Sequence, residues 1–281
     1  MPYIISHTSF ALSLGETLPC FSDGESRALF LLGSLGPDVY FFDRIPPTPF
    51  IPNQKKHGNR LHDAPCDALA RAFLAHSDAA LLPYIYGFLT HIALDSTLHP
   101  YICALHSGLD HTRFEGDIDA IVYERYRSRY DFRHLFSRPK QLDALDKLVT
   151  DVSQSTVQAG KRGAYARSVR KMLRIYPVLL DPKGRRFRFV AAFERLFRKK
   201  GAVTGFLLAA PRSYYPGCMN EAHAPWYAKP FPKTERTESV DELFLEARAL
   251  AEKLITAAQN GDAEAVSALL TRRTMSYGPI P

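Results

Sequence analysis

The sequence predicts an all-α protein, a single compact multi-helix domain over residues 1–281. Apolar residues recur at i, i+3 and i+4 through most of the chain, which is the spacing of one buried helix face. Alternating apolar–polar runs of strand length are scarce. A chain of 281 residues is also long enough to bury one sizeable core.

Taken in order, helical periodicity marks SHTSFALSLGETL (6–18), ESRALFLLGSLG (25–36), DALARAFLAH (67–76), YIYGFLTHIALDSTLH (84–99) and HTRFEGDIDAIVYERY (111–126). It returns at 141–156, 165–176, 188–199, 239–259 and 262–273. Ser239 before Asp241 and Glu242 has the chemistry of an N-cap. Pro100 disfavours helical geometry at His99, so the fourth helix is expected to end there. RIPPTPFIPNQKKHGNR (44–60), with four prolines and a glycine, predicts an ordered loop, as does the Pro- and aromatic-rich stretch 210–235. The candidate ligands described below fall within residues 1–120, and 136–281 supplies supporting helices and the aromatic, Pro-rich loop.

No apolar run approaches the roughly eighteen residues needed to cross a bilayer. The first twenty residues contain no Lys or Arg, and His7 and Glu16 interrupt their hydrophobicity, so no export signal is read and a cytoplasmic location is expected. The four cysteines show no CxxC pair and are expected to be reduced. Cys66 follows His62 by four residues and Cys103 follows His99 by four, a spacing compatible with a Cys/His zinc site, although carboxylates offer a fuller ligand set. The net charge of +7 gathers in 125–140, 161–174 and 183–200, where Tyr and Phe interleave with Arg. Such segments suit nucleic acid or anionic lipid, or else are solvated helix faces.

The stretch GFLTHIALDSTLHPY (87–101) carries the chemistry. His91, Asp95 and His99 recur every four residues among apolar neighbours and form one slowly drifting stripe on a helix. A carboxylate among apolar residues is costly unless paired or coordinated. Asp95, midway between two imidazoles, could bridge two metal ions. His111 and Glu115 form a second i, i+4 pair, and together the two pairs account for most of a dinuclear zinc site. The competing reading is buried histidines hydrogen-bonded to carboxylates. A third such pair, His106/Asp110, lies by Gly108 and reads as accidental.

The chain resembles the bacterial zinc-dependent phospholipase C family, of the same superfamily as the secreted zinc phospholipases C and the fungal single-strand nucleases. The matching pieces run in order from ISHTSFA, GSLGPDVYFF and HGNRLHDAP to YIYGFLTHIALDSTLHPYI and DHTRFEGDID. MNEAHAPWYAKPF and SVDELFLEARALAEKLI resemble the family's ending. The resemblance implies that His62, His91 and Asp95 hold one zinc, and that His99, His111 and Glu115 hold a second with Asp95 bridging. It further implies that His7 serves a third zinc beside Asp95, and that Asp38 is a ligand or general base. Between His57 and His62, GNRLH favours His62, leaving His57 as a loop histidine. His76, His134 and His223 match no motif and read as surface or hydrogen-bonded residues.

Two departures stand out. The secreted enzymes begin with a processed Trp that binds the third zinc; this chain has none, and a Pro2 amine exposed by loss of Met1 could substitute. His99 also follows Asp95 more closely than in those enzymes.

The implied reaction is phosphodiester hydrolysis by a metal-bridging hydroxide on a phospholipid or its headgroup ester. Alternatives are a single-strand nuclease acting on nucleic acid, with aromatic residues such as Phe41, Phe42, Tyr101 and Trp226 recruited to the substrate, and a zinc-stabilised protein without turnover.

Overall fold

A computed structural model of the chain describes residues 4–16, 23–44, 54–75, 78–197, 203–211, 214–228 and 235–279. Eleven α-helices dominate these residues, as the periodicity predicts. They are α1 (Ile4–Gly15), α2 (Gly24–Leu35), α3 (Lys55–His62), α4 (Cys66–Ala75), α5 (Leu82–Leu105), α6 (Gly108–Tyr126), α7 (Leu142–Val157), α8 (Ala164–Leu179), α9 (Arg185–Leu196), α10 (Val240–Gln259) and α11 (Ala263–Leu270). A 3-10 segment, Gly36–Arg44, follows α2 directly. The strands are two-residue antiparallel pairs, Trp226–Tyr227 with Glu235–Arg236 and Arg273–Thr274 with Gly278–Pro279.

The organising element is α5, buried on all sides through most of its length. It packs most extensively against α2 and α10, and also touches α1, α4 and α6. Where α2 and α5 meet, glycines face each other: a Cβ on Gly33 would lie 2.1 Å from the Tyr84 carbonyl oxygen, and one on Gly87 would lie 2.0 Å from that of Phe30. Only hydrogen fits there, and the contact brings the end of α2 onto the first two turns of α5.

Helix ends are satisfied by side chains. Asp23 Oδ1 accepts from Glu25 N and Ser26 N at 2.8 and 2.9 Å at the start of α2. Ser239 and Glu242 close a reciprocal capping box on α10, the expected N-cap. α1 is capped from outside: Asp119 of α6 accepts from the backbone N–H groups of Ile5 and Ser6 and from Ser6 Oγ at 2.6–3.2 Å. That bond set seats α1, which carries His7, against α6, which carries His111 and Glu115.

Three expectations need correction. The stretch 44–60 is not a loop throughout, because α3 begins at Lys55 and carries His57 and His62 on its buried face. Its prolines all precede position 54, and the remaining KKHGNRLH is amphipathic enough to wind. α5 does not end at His99 but runs through Pro100 to Leu105. An interior proline costs about 3 kcal/mol, and burial of Tyr101 and Ile102, with Tyr101 Oη donating to the Cys218 carbonyl at 3.1 Å, offsets it. Stretch 210–235 contains the short strand Trp226–Tyr227 as well as turns. The Pro2 amine and His76 lie outside the described residues.

Candidate metal centre

Asp95 is the hub. Its Oδ2 lies 3.6 Å from His62 Nε2, 3.8 Å from His91 Nε2 and 3.6 Å from His99 Nδ1. His7 Nε2 faces Oδ1 at 3.5 Å. Asp95 Oδ2, His91 Nε2 and His99 Nδ1 are buried with no hydrogen-bond partner. Spacings of 3.6–3.8 Å are too long for hydrogen bonds. They are close to the roughly 3.3–3.5 Å between two ligands that each sit about 2.0–2.1 Å from one zinc. Orphaned nitrogens and oxygens this deep are costly unless a cation satisfies them. The alternative of plain histidine–carboxylate hydrogen bonds therefore fails at the centre of the cluster. The donor set fits zinc.

Each ring is aimed from behind. His91 Nδ1 donates to the Ser34 carbonyl at 3.1 Å, and His62 Nδ1 donates to the Gly58 carbonyl at 2.8 Å, so both present Nε2 inward. Gly36, at φ +48°, closes the turn after α2 beneath the His91 ring. A Cβ on it would sit 2.5 Å from His91 Cδ2. His7 stacks on His91 with centroids 4.3 Å apart, and Phe41 stacks on His62 at 5.5 Å. Asp38 Oδ1 reaches His62 Nε2 at 3.2 Å.

The outer end is less buried. His111 Nε2 is 2.9 Å from Glu115 Oε1 and 3.0 Å from His99 Nε2. Cys103, one turn beyond His99 on α5, places Sγ within 4.8 Å of ring nitrogens of His99 and His111. Two further triads gather as tightly: His62, His91 and Asp95, and His7, Asp38 and His91. All eight residues singled out from the sequence therefore converge. Cys103 was visible as the next i+4 step of the stripe, but Cys66 joins none of these groups.

The charges are arranged for cations. Burial disfavours ionised Asp95, yet His99, His7, His91 and His62 hold it well below the ordinary carboxylate range. Burial also opposes charge on His62, but the Asp38 hydrogen bond and charge push it up to about 9. His111, likewise desolvated, is pushed up to about 10 by Glu115. Burial, helped by His7, drives His91 down to about 3. Protons on His62 and His111 thus occupy positions that a metal would contest.

A cavity of about 820 Å³ opens onto the cluster, lined by Asp38, Phe41, Asp95, His99, His111 and Glu115 among others. Asn59, Phe206 and Tyr277 also line it and carry no motif that the sequence would flag, and His106, whose i, i+4 pairing with Asp110 reads as accidental in the sequence, lines it too. Of the four aromatic residues considered for substrate, only Phe41 lines this cavity. Phe42 is core, and Tyr101 and Trp226 are buried beside a neighbouring cavity of about 330 Å³, where the Tyr101 ring packs on both Trp226 and Phe114. His57 is helical and buried edge-on to Tyr40 rather than in a loop, and it joins no triad. His134 and His223 are exposed and hydrogen-bonded, as read from the sequence. Arginines of 125–140 and 161–174 pair on the surface, Arg125 with Asp241, Arg129 with Glu16, Arg162 with Asp151 and Arg170 with Asp143. No helix among the described residues is long and apolar enough to cross a membrane.

A family model described as zinc dependent phospholipase C matches residues 1–162, a span holding every residue of the cluster. Nothing among curated proteins or solved structures matches the chain.

Proposed function

The chain belongs to the zinc-dependent phospholipase C family, and from that premise we propose that it hydrolyses the phosphodiester bond of a phospholipid or of its headgroup ester. The observation that carries this reading is the gathering of four imidazoles around one buried carboxylate, Asp95, on the wall of a cavity. His62, His91 and Asp95 would hold one zinc. His99, His111 and Glu115 would hold a second, with Asp95 shared between them. His7 would serve a third position beside Asp95.

When bound, zinc supplies Lewis acidity for phosphate and lowers the pKa of water towards neutrality. The chain's own residues do the rest. Ser34 and Gly58 carbonyls lock the ring orientations of His91 and His62. Asp38 lies at the cavity wall with its carboxylate ionised, so it can orient an attacking water and accept its proton. Phe41 shields His62 from solvent on one side of the cavity and offers an apolar surface to substrate. No nucleophilic side chain is required, since water is the attacking group.

Zinc content and turnover test the reading together. Protein purified without added metal should carry at least two zinc ions per chain and cleave a chromogenic phosphocholine ester. A single-stranded oligonucleotide assayed alongside should be a far poorer substrate. Preferred cleavage of the oligonucleotide would replace the lipid reading with the nuclease one, and zinc without cleavage of either would leave a structural metal site.

A further inference from the structure

α9 breaks the pattern of the other helices. Its one fully buried residue is Glu194, while Phe189, Phe193, Leu196 and, just past its end, Phe197 are 66%, 49%, 75% and 66% exposed. Spaced i, i+4, i+7 and i+8, they share one face. Val178 and Val203, at 58% and 53%, add to the exposed apolar surface near the two ends of the helix. Contiguous apolar surface of this kind marks an interaction site.

Its charge identifies the partner. Arg185, Arg186, Arg188 and Arg195 lie along the same helix, and none makes an ion pair among the described residues, whereas Arg125, Arg127, Arg129, Arg162 and Arg170 of the other two basic segments do. Arg186 and Arg188 donate to the backbone carbonyls of Val178 and Lys183, at 2.7 and 3.3 Å, and meet no carboxylate there. The sequence continues with Arg198, Lys199 and Lys200. A basic helix with an aromatic and aliphatic face suits the interface of an anionic bilayer. Leu196, Val178 and Val203 argue against nucleic acid, because aliphatic side chains enter acyl chains but do not stack on bases.

The helix is also fastened to the cavity. Glu194 accepts from Thr204 N and Oγ1 at 2.8 and 2.6 Å. Residues Thr204–Phe206 form one 3-10 turn whose Gly205 faces Thr112 of α6 and whose Phe206 lines the metal cavity. We propose that α9 is a membrane-surface anchor that docks onto bilayers carrying anionic phospholipid and ties the cavity rim to that surface. The segment lies beyond residues 1–162 matched by the family model, and docking does not depend on hydrolysis.

Vesicle flotation of the full-length, zinc-loaded chain tests it, comparing phosphatidylcholine vesicles with vesicles containing phosphatidylglycerol. The wild-type chain should float with the anionic vesicles, far less with the neutral ones, and binding should fall with added salt. The double variants F189S/F193S and R188E/R195E should each bind roughly tenfold or more weakly. Both should melt with the wild type and cleave a water-soluble phosphodiester at its rate, which separates docking from folding and chemistry. Equal flotation of wild type and variants, or no flotation of wild type beside retention of a single-stranded oligonucleotide, would overturn the anchor. Flotation without cleavage of the soluble diester would overturn the hydrolase reading instead and leave the anchor standing.

Discussion

Two helices of this protein violate the amphipathic rule in opposite directions. α5 takes polar residues inward, setting His91 and Asp95 among side chains that solvent scarcely touches. α9 does the reverse, holding three phenylalanines and a leucine out in water while burying a glutamate. In each case the misplaced chemistry costs free energy in the isolated chain, and a partner would recover it, a cation at α5 and a lipid surface at α9. The lesson is that the direction of the violation indicates the partner: buried donors without hydrogen bonds ask for an ion, and exposed apolar side chains beside unpaired arginines ask for an anionic interface.

The contrast breaks first at Asp95. Asp95→Asn should reduce zinc affinity and phosphodiester cleavage by more than roughly 100-fold, beyond the 10–100-fold seen for outer-shell partners. An asparagine variant with normal metal content and turnover, measured by metal analysis and initial rates, would remove the hub. Gly36→Ala comes next. The added methyl presses on the His91 ring and strains a positive-φ position, so zinc affinity should drop about 10–100-fold by competitive chelation while helicity is kept.

Stability separates the two helices directly. Phe88→Ala on α5, where the ring is 3% exposed, should cost about 3–5 kcal/mol in urea unfolding. Phe193→Ala on α9 should change stability by less than about 0.5 kcal/mol without vesicles. Gly33→Ala should cost about 1–3 kcal/mol or more, since its Cβ meets the Tyr84 carbonyl oxygen.

The smallest effect is on pH. His62 and His111 sit above the ordinary histidine value of about 6.5, at about 9 and about 10, so their protonation stabilises the metal-free fold. That contribution is complete below about pH 6.5 and is lost as pH rises through 9 to 10. Chelated protein should accordingly lose thermal stability over this window. Because zinc displaces the same protons, its apparent affinity should rise with pH by up to about tenfold per unit for each proton released. A flat melting temperature for the chelated protein from pH 7 to 10 would dissociate these histidines from the carboxylates facing them.

Much of this was legible in the order of residues. Helical spacing located ten of the eleven helices among the described residues, and the stripe through His91, Asp95 and His99 located the buried histidine–carboxylate cluster. The misses have physical causes. α3 was hidden because prolines upstream of it made the whole stretch look irregular, and Pro100 did not stop α5 because the core beyond it rewards continuation. Phe41, Phe42, Tyr101 and Trp226 look alike as aromatic residues, and only packing separates Phe41 on the cavity wall from the other three in the core.

Sequence by itself determined the fold class, the candidate ligand residues that the structure gathers and the basic, aromatic composition of 183–200, because periodicity and donor chemistry are local properties of a chain. Only the tertiary structure decided that Asp95 has four imidazoles around it, that Gly36 leaves room for one of them, and that α9 keeps its apolar face uncovered. Those are facts of juxtaposition between segments far apart along the chain, and the first two arise only when α1, α2 and α6 pack on α5 and α3 packs on the 3-10 segment Gly36–Arg44.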